Sequence, residues 1–143
     1  MNYQESTEIL ELIKRSKKIL IGCHRSPDSD SMGCVLGLNL ILERMGKDIS
    51  LVSPTKIQPY VEYLPNYSKI KVVNFKDFDL SLYDLFITID SSSWEMITNI
   101  RDYNLPDIAM VNIDHHKTND KIGKVNLLDS KKSSCGEIMF LIF

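Results

Sequence analysis

The sequence predicts an α/β fold, a doubly wound, mainly parallel sheet with helices on both faces. Three observations predict it. Leu85 to Ile89 and Ile108 to Ile113 are continuous apolar runs, the pattern of parallel strands covered on both sides. Segments of helical periodicity fall between the strand-like runs, as parallel neighbours require. Polar residues that could do chemistry follow the apolar runs directly, at the strand ends where open α/β sheets bind their ligands.

In chain order, Ile9, Leu10, Leu12 and Ile13 recur at helical spacing among Glu8, Glu11, Lys14 and Arg15, which predicts an amphipathic first helix. Lys18 to Cys23 reads as a strand. From Met32 to Met45 the run MGCVLGLNLILERM is apolar almost all round, a helix buried against the sheet, with Gly33 and Gly37 expected to allow close backbone approach. Gly46 is its natural stop. Lys47 to Ser53 and Lys69 to Val73 predict further strands, separated by a polar and aromatic segment around Pro59 to Pro65. The stretch SSWEMITNIRDYNL between the two apolar runs predicts a helix, and CGEIMFLIF reads as an apolar helix left unfinished.

Composition narrows the function. A length of 143 residues suits one domain with a single core. No apolar run approaches the roughly 18 residues of a membrane span, and the first residues mix charged with apolar side chains, unlike a secretion leader. A cytoplasmic location is expected. Cys23, Cys34 and Cys135 are an odd set without C-x-x-C spacing, so they read as small buried side chains and not as disulfides or a structural zinc site. A formal net charge of −2 gives no basic footprint for long duplex DNA.

Three strand ends hold the candidate chemistry. His24, Asp28 and Asp30 lie in CHRSPDSDSMGC, after the first strand; Asp90 follows Ile89 and precedes Ser91, Ser92 and Ser93; Asp114-His115-His116 follows Ile113. Carboxylates with imidazoles and no thiolate form a ligand field suited to manganese or magnesium. Asp28 and Asp30 could face different ions, with Asp90 bridging both. Two ions held roughly 3.5 to 4 Å apart would activate a hydroxide for displacement at phosphorus. The helix starting near Ser31 offers amides and partial positive charge to a phosphate. No G-K-[ST] follows Gly22, so a P-loop is excluded. Each element also has a plain structural explanation: Pro27 to Asp30 as a turn and helix cap, Asp90 as a cap, the paired histidines as surface residues. Those explanations do not require the three elements to share one edge of the sheet; a metal centre does.

The ordered set H-x-x-x-D-x-D, a strand-end Asp90, then D-H-H resembles the DHH phosphoesterase superfamily over nearly the whole chain. The stretch NIDHHKTNDKIGKVNLLDSKKSSCGEIMF is similar to the bifunctional oligoribonucleases that also hydrolyse 3'-phosphoadenosine 5'-phosphate. The resemblance implies two manganese ions, with magnesium as the alternative. His24, Asp28 and Asp90 would hold one, and Asp30, Asp90 and His115 the other. Asp114 would orient the imidazoles, and His116 would face the substrate phosphate as donor or acid. Ser26 and Ser29 stand where asparagine and glycine are frequent. The family also carries a fourth motif with a further metal-binding aspartate, then a second, substrate-gripping domain. Residues 1–143 are therefore expected to be a DHH catalytic domain that stops short of both, with Asp120 and Asp129 the available substitutes for the aspartate.

The first reading is thus a metal-dependent phosphoesterase for short oligonucleotides or small nucleotide phosphates. An inorganic pyrophosphatase or exopolyphosphatase is the alternative within the same chemistry. A catalytically inactive metal-binding or nucleotide-binding module is the alternative of another class.

Overall fold

The computed structural model describes residues 3–143. Helix α1 (Glu5–Arg15) leads into β1 (Lys18–Gly22), α2 (Ser29–Arg44) and β2 (Asp48–Ser53). Two single 3₁₀ turns precede β3 (Ile70–Val72), and a third precedes β4 (Leu85–Ile89). Then come α3 (Trp94–Thr98), β5 (Ala109–Asp114), β6 (Val125–Leu128) and α4 (Cys135–Ile142).

All six strands are parallel, in the order β3-β2-β1-β4-β5-β6. The chain winds outward from β1 to β3, then returns beside β1 with β4 and winds the other way. The carboxyl ends of β1 and β4 therefore flank the point of reversal, where a crevice opens.

Alternation along the strands separates two cores. Ile19, Ile21, Leu85, Ile87, Ile89, Val111 and Ile113 pack with Ile9, Ile13, Val35, Leu38, Ile138 and Met139 of α1, α2 and α4. Leu20, Val52, Phe86 and Met110 face the other side, against Phe75, Leu80, Trp94 and Ile97. Helices thus lie on both faces, although α3 shares the second with irregular chain. Phe75 and Phe86 each meet the Trp94 ring edge-on at centroid distances of 6.0 Å, which anchors that chain.

Two expectations need correction. Only Trp94–Thr98 of the predicted SSWEMITNIRDYNL helix is helical. Asn99 turns left-handed at φ 57° and Asp102 at φ 54°, while Trp94 Nε1 donates to the Asn104 carbonyl at 3.1 Å and stacks on Tyr103. Tertiary packing of one indole overrides the helical pattern. Gly33 and Gly37, in turn, are not points of close approach: a Cβ at either would meet nothing within 4 Å. They border an apolar groove of about 290 Å³ between α2 and α4. Close approaches fall at Gly22, where a Cβ would sit 2.8 Å from the Phe86 ring, and at Gly123, where one would sit 2.6 Å from the Val125 carbonyl oxygen.

Candidate metal centre

The first ligand loop follows β1. The Cys23 amide donates to Val52 O at 2.9 Å, extending the β1–β2 ladder by one residue and bringing His24 to the crevice. His24 Nδ1 lies 2.8 Å from the Arg25 carbonyl, which can only accept, so this nitrogen carries the proton. In the neutral ring Nε2 then presents a lone pair, and it faces Asp90 Oδ2 at 3.8 Å. Ser26 adopts φ 52°, a left-handed turn that asparagine enters more readily than serine. Asp28 caps α2, its Oδ1 accepting from the amides of Asp30 and Ser31 at 3.0 Å each. The structural explanation of Pro27 to Asp30 therefore holds, and it coexists with a place in the crevice.

Asp90 sits at the centre, 3% exposed and left-handed at φ 60°. Its amide donates to Ile113 O at 2.9 Å, continuing the β4–β5 pairing past the strand. It caps nothing: Ser93 caps α3, accepting from the Met96 amide at 3.2 Å. Burial pushes its carboxyl pKa up, and the nearby charges of Asp30 and Asp28 push it further.

Asp114 ends β5, fully buried. Its Oδ1 accepts from the His115 and His116 amides at 2.8 and 3.2 Å and from His116 Nδ1 at 2.7 Å. Its Oδ2 accepts from Asn119 Nδ2 at 2.6 Å. Asn119, which has no signature in the sequence, also donates to Asn112 Oδ1 and lies within reach of the Ser91 carbonyl. Burial alone would lower the His116 pKa, but the Asp114 hydrogen bond and the charges of Asp114, Asp90 and Asp28 outweigh it, and the net direction is upward. The His116 side chain remains half exposed.

His115 repeats the pattern of His24. Its Nδ1 lies 3.3 Å from the Lys132 carbonyl, and Nε2 faces Asp90 Oδ1 at 3.5 Å and Asp30 Oδ2 at 4.0 Å. Asp30 is fixed from the far end of the chain, its two oxygens accepting from the Cys135 and Gly136 amides at 2.7 and 3.0 Å.

Three groups result, each with one donor atom per residue and all its donor atoms within 4.8 Å of one another: His24 with Asp28 and Asp90; Asp30 with Asp90, His115 and Cys135; and Asp90 with Asp114 and His116. Asp90 belongs to all three. Among the described residues no lysine or arginine pairs with Asp28, Asp30, Asp90 or Asp114; the cations of the ion pairs meet Glu11, Glu43, Glu95 and Glu137 instead. A buried carboxylate crowded by two others, with imidazole lone pairs turned toward it, is a charge distribution that a divalent cation completes. The donor set fits such an ion.

Three sequence candidates fare differently. Ser31 is fully buried, and its amide donates to Asp28 Oδ1 at 3.0 Å. Asp129 is taken by the Tyr3 hydroxyl at 2.9 Å and the Lys131 amide. Asp120 is exposed and belongs to none of the three groups. Cys135, read as a plain buried side chain, is buried as expected but also joins the second group.

A parallel α/β domain with a histidine and aspartate cluster at its topological reversal defines a class, and residues 18–143 match the DHH family, N-terminal domain; the chain belongs to that family. Among individual relatives, it is 28% identical to the probable bifunctional oligoribonuclease and PAP phosphatase NrnA of Streptococcus mutans, over 92% of this chain and 40% of that protein. The Bacillus subtilis NrnA is 25% identical over 96% of this chain and 41% of the relative. An uncharacterized protein of Methanocaldococcus jannaschii is 32% identical over 80% of this chain and 24% of its own length. The chain thus spans less than half of each of these relatives. In fold it resembles an exopolyphosphatase-related protein from Bacteroides fragilis, with a TM-score of 0.85 at 21% identity, covering 96% of this chain and 42% of that one. The exonuclease RecJ bound to manganese aligns with a TM-score of 0.56 at 13% identity, over 97% of this chain and 35% of that one.

Proposed function

We propose that this chain is the metal-bearing part of a phosphoesterase that hydrolyses short oligonucleotides or small nucleotide phosphates. His24, Asp28 and Asp90 would hold one divalent ion, and Asp30, Asp90 and His115 a second, with Asp90 shared. The observation that carries this is the orientation of two rings: His24 and His115 each set Nδ1 against a backbone carbonyl and turn Nε2 toward the same carboxylate, which no lysine or arginine pairs with among the described residues. Bound manganese would supply positive charge to the phosphoryl oxygens and lower the pKa of water.

The chain's own residues do the rest. Asp114 holds His116 by a 2.7 Å contact, which keeps the imidazole protonated further into the neutral range and aimed beside Asp90. His116, the most exposed of the cluster's imidazoles, then delivers a proton to the departing oxygen. Asn119 holds the opposite Asp114 oxygen, so the carboxylate does not rotate away. A net charge of −2 and an acidic crevice favour a short substrate met through ions over a long polymer met through lysines. The likeness to the two NrnA proteins supports the oligonucleotide and nucleotide phosphate class.

The test is a product assay with manganese on dinucleotides, 3'-phosphoadenosine 5'-phosphate, pyrophosphate and polyphosphate, using the full-length protein and its His116→Gln variant. Turnover of the first two, reduced about 10²- to 10⁴-fold in the variant with ion binding retained, is the expected result. Turnover of pyrophosphate or polyphosphate alone would replace this substrate class with the phosphoanhydride one.

A further inference from the structure

The two proposed ion positions draw only on oxygen and imidazole donors. We propose that the position built on Asp30, Asp90 and His115 also takes the Cys135 thiolate, which makes it a mixed oxygen, nitrogen and sulfur site preferring a thiophilic divalent ion such as zinc, cobalt or ferrous iron over manganese. This inference rests on the metal-centre reading and adds a ligand and a metal class to it.

The four donors arrive from four different elements: Asp30 from the first turn of α2, Asp90 from the end of β4, His115 from the end of β5 and Cys135 from the first residue of α4. One atom of each lies within 4.8 Å of all the others. Tetrahedral coordination, with sulfur about 2.3 Å and nitrogen or oxygen about 2.0 to 2.2 Å from the ion, sets donors roughly 3.3 to 3.7 Å apart; Asp90 Oδ1 already stands 3.5 Å from both Cys135 Sγ and His115 Nε2, and Asp30 Oδ2, 4.0 Å from His115 Nε2, would close by a few tenths of an ångström. Cys135 is fully buried, and its Sγ sits 3.5 Å from Asp90 Oδ1 and 3.7 Å from the Ile113 carbonyl. Its direction is fixed by the backbone, because the Cys135 and Gly136 amides both donate to Asp30. The site's own carboxylate thus holds the start of α4 so that the thiol faces the cluster. Cys23 and Cys34 are also buried, yet neither belongs to a donor group. On coordination the thiol proton leaves to solvent and the sulfur donates as thiolate. Sulfur shifts the preference of such a site away from manganese.

Cobalt is the probe. Titrated into the metal-free protein, it should produce a sulfur-to-cobalt charge-transfer absorption in the near ultraviolet, lost in Cys135→Ser and retained in Cys23→Ser. Zinc should compete cobalt off more effectively than manganese does, and that advantage should shrink in Cys135→Ser. Cobalt bound without the charge-transfer band, in the parent protein itself, would overturn the sulfur ligand and leave the metal-centre reading standing. A band that persists in Cys135→Ser would also overturn it. No cobalt binding by a folded parent protein would overturn both.

Discussion

Asp90 concentrates the unfavourable terms of this molecule in one side chain. It is buried, left-handed without being glycine, and crowded by Asp28 and Asp30. Such backbone geometry alone costs about 1 kcal/mol or more, and features of that kind persist where function holds them in place. Asp90→Asn keeps the shape and suits the left-handed turn better, removes the repulsion, and offers an amide to the His24 lone pair. The expected outcome is a higher thermal midpoint in metal-free buffer together with loss of saturable manganese binding, read by calorimetry on the same sample. A lowered midpoint would mean that the charge is already compensated in the metal-free chain. At this scale the sequence was legible where residues follow the strands: His24, Asp90 and His115 come just after β1, β4 and β5, Asp28 and Asp30 cap and open the helix after β1, and the sheet brings these ends side by side. Asn119 and Cys135 were not legible. Their contacts arise when the chain returns after β5, and no local spacing encodes that return.

At the scale of elements, the strands were legible and the short connections less so. Apolar runs set β4 as Leu85–Ile89 without error, and β1, β2, β3 and β5 within a residue or so at their ends. The four-residue β6 has too short a pattern to stand out, and α3 was overextended because Trp94 draws Asn104 back across it. Gly22 gives the clearest packing prediction. An added methyl would press on Phe86, a fully buried ring, so Gly22→Ala should destabilise by about 1–3 kcal/mol in denaturant unfolding, and it should disturb His24 two residues on. A second prediction concerns the start of the sheet. Asp84 Oδ2 accepts from the Lys17 and Lys18 amides at 2.8 Å each, tying β4 to β1. The Lys18 amide, then the Lys17 amide, holds its pKa below the ordinary carboxylate value. A depressed folded pKa contributes stability that is complete above the unfolded value and is lost as pH falls through the folded one. Thermal midpoints of the parent and Asp84→Asn should therefore differ most at neutral pH and converge only as the pH falls below the ordinary carboxylate value. A gap that stays constant on acidification would mean that the carboxylate charge is irrelevant to the bond.

Over the whole molecule, the parallel sheet and the charge distribution point to the same place. Every strand runs toward one edge, the order reverses between β1 and β4, and the uncompensated carboxylates lie at that reversal. The paired lysines and arginines engage glutamates elsewhere. Among the described residues no helix is long and apolar enough to cross a membrane. The chain spans less than half of the curated relatives it matches. The donor groups that could hold ions lie within this chain. Each ion bound to the folded state alone should add about 2.7 kcal/mol of stability at a hundredfold excess over its Kd. The most direct measurement is a manganese titration by calorimetry of the parent chain beside Asp28→Ala, Asp30→Ala and Asp90→Ala. Two ions in the parent, one in each of the first two variants and none in Asp90→Ala is the predicted result, since only Asp90 is shared. Full stoichiometry in a folded Asp90→Ala variant would contradict the shared centre.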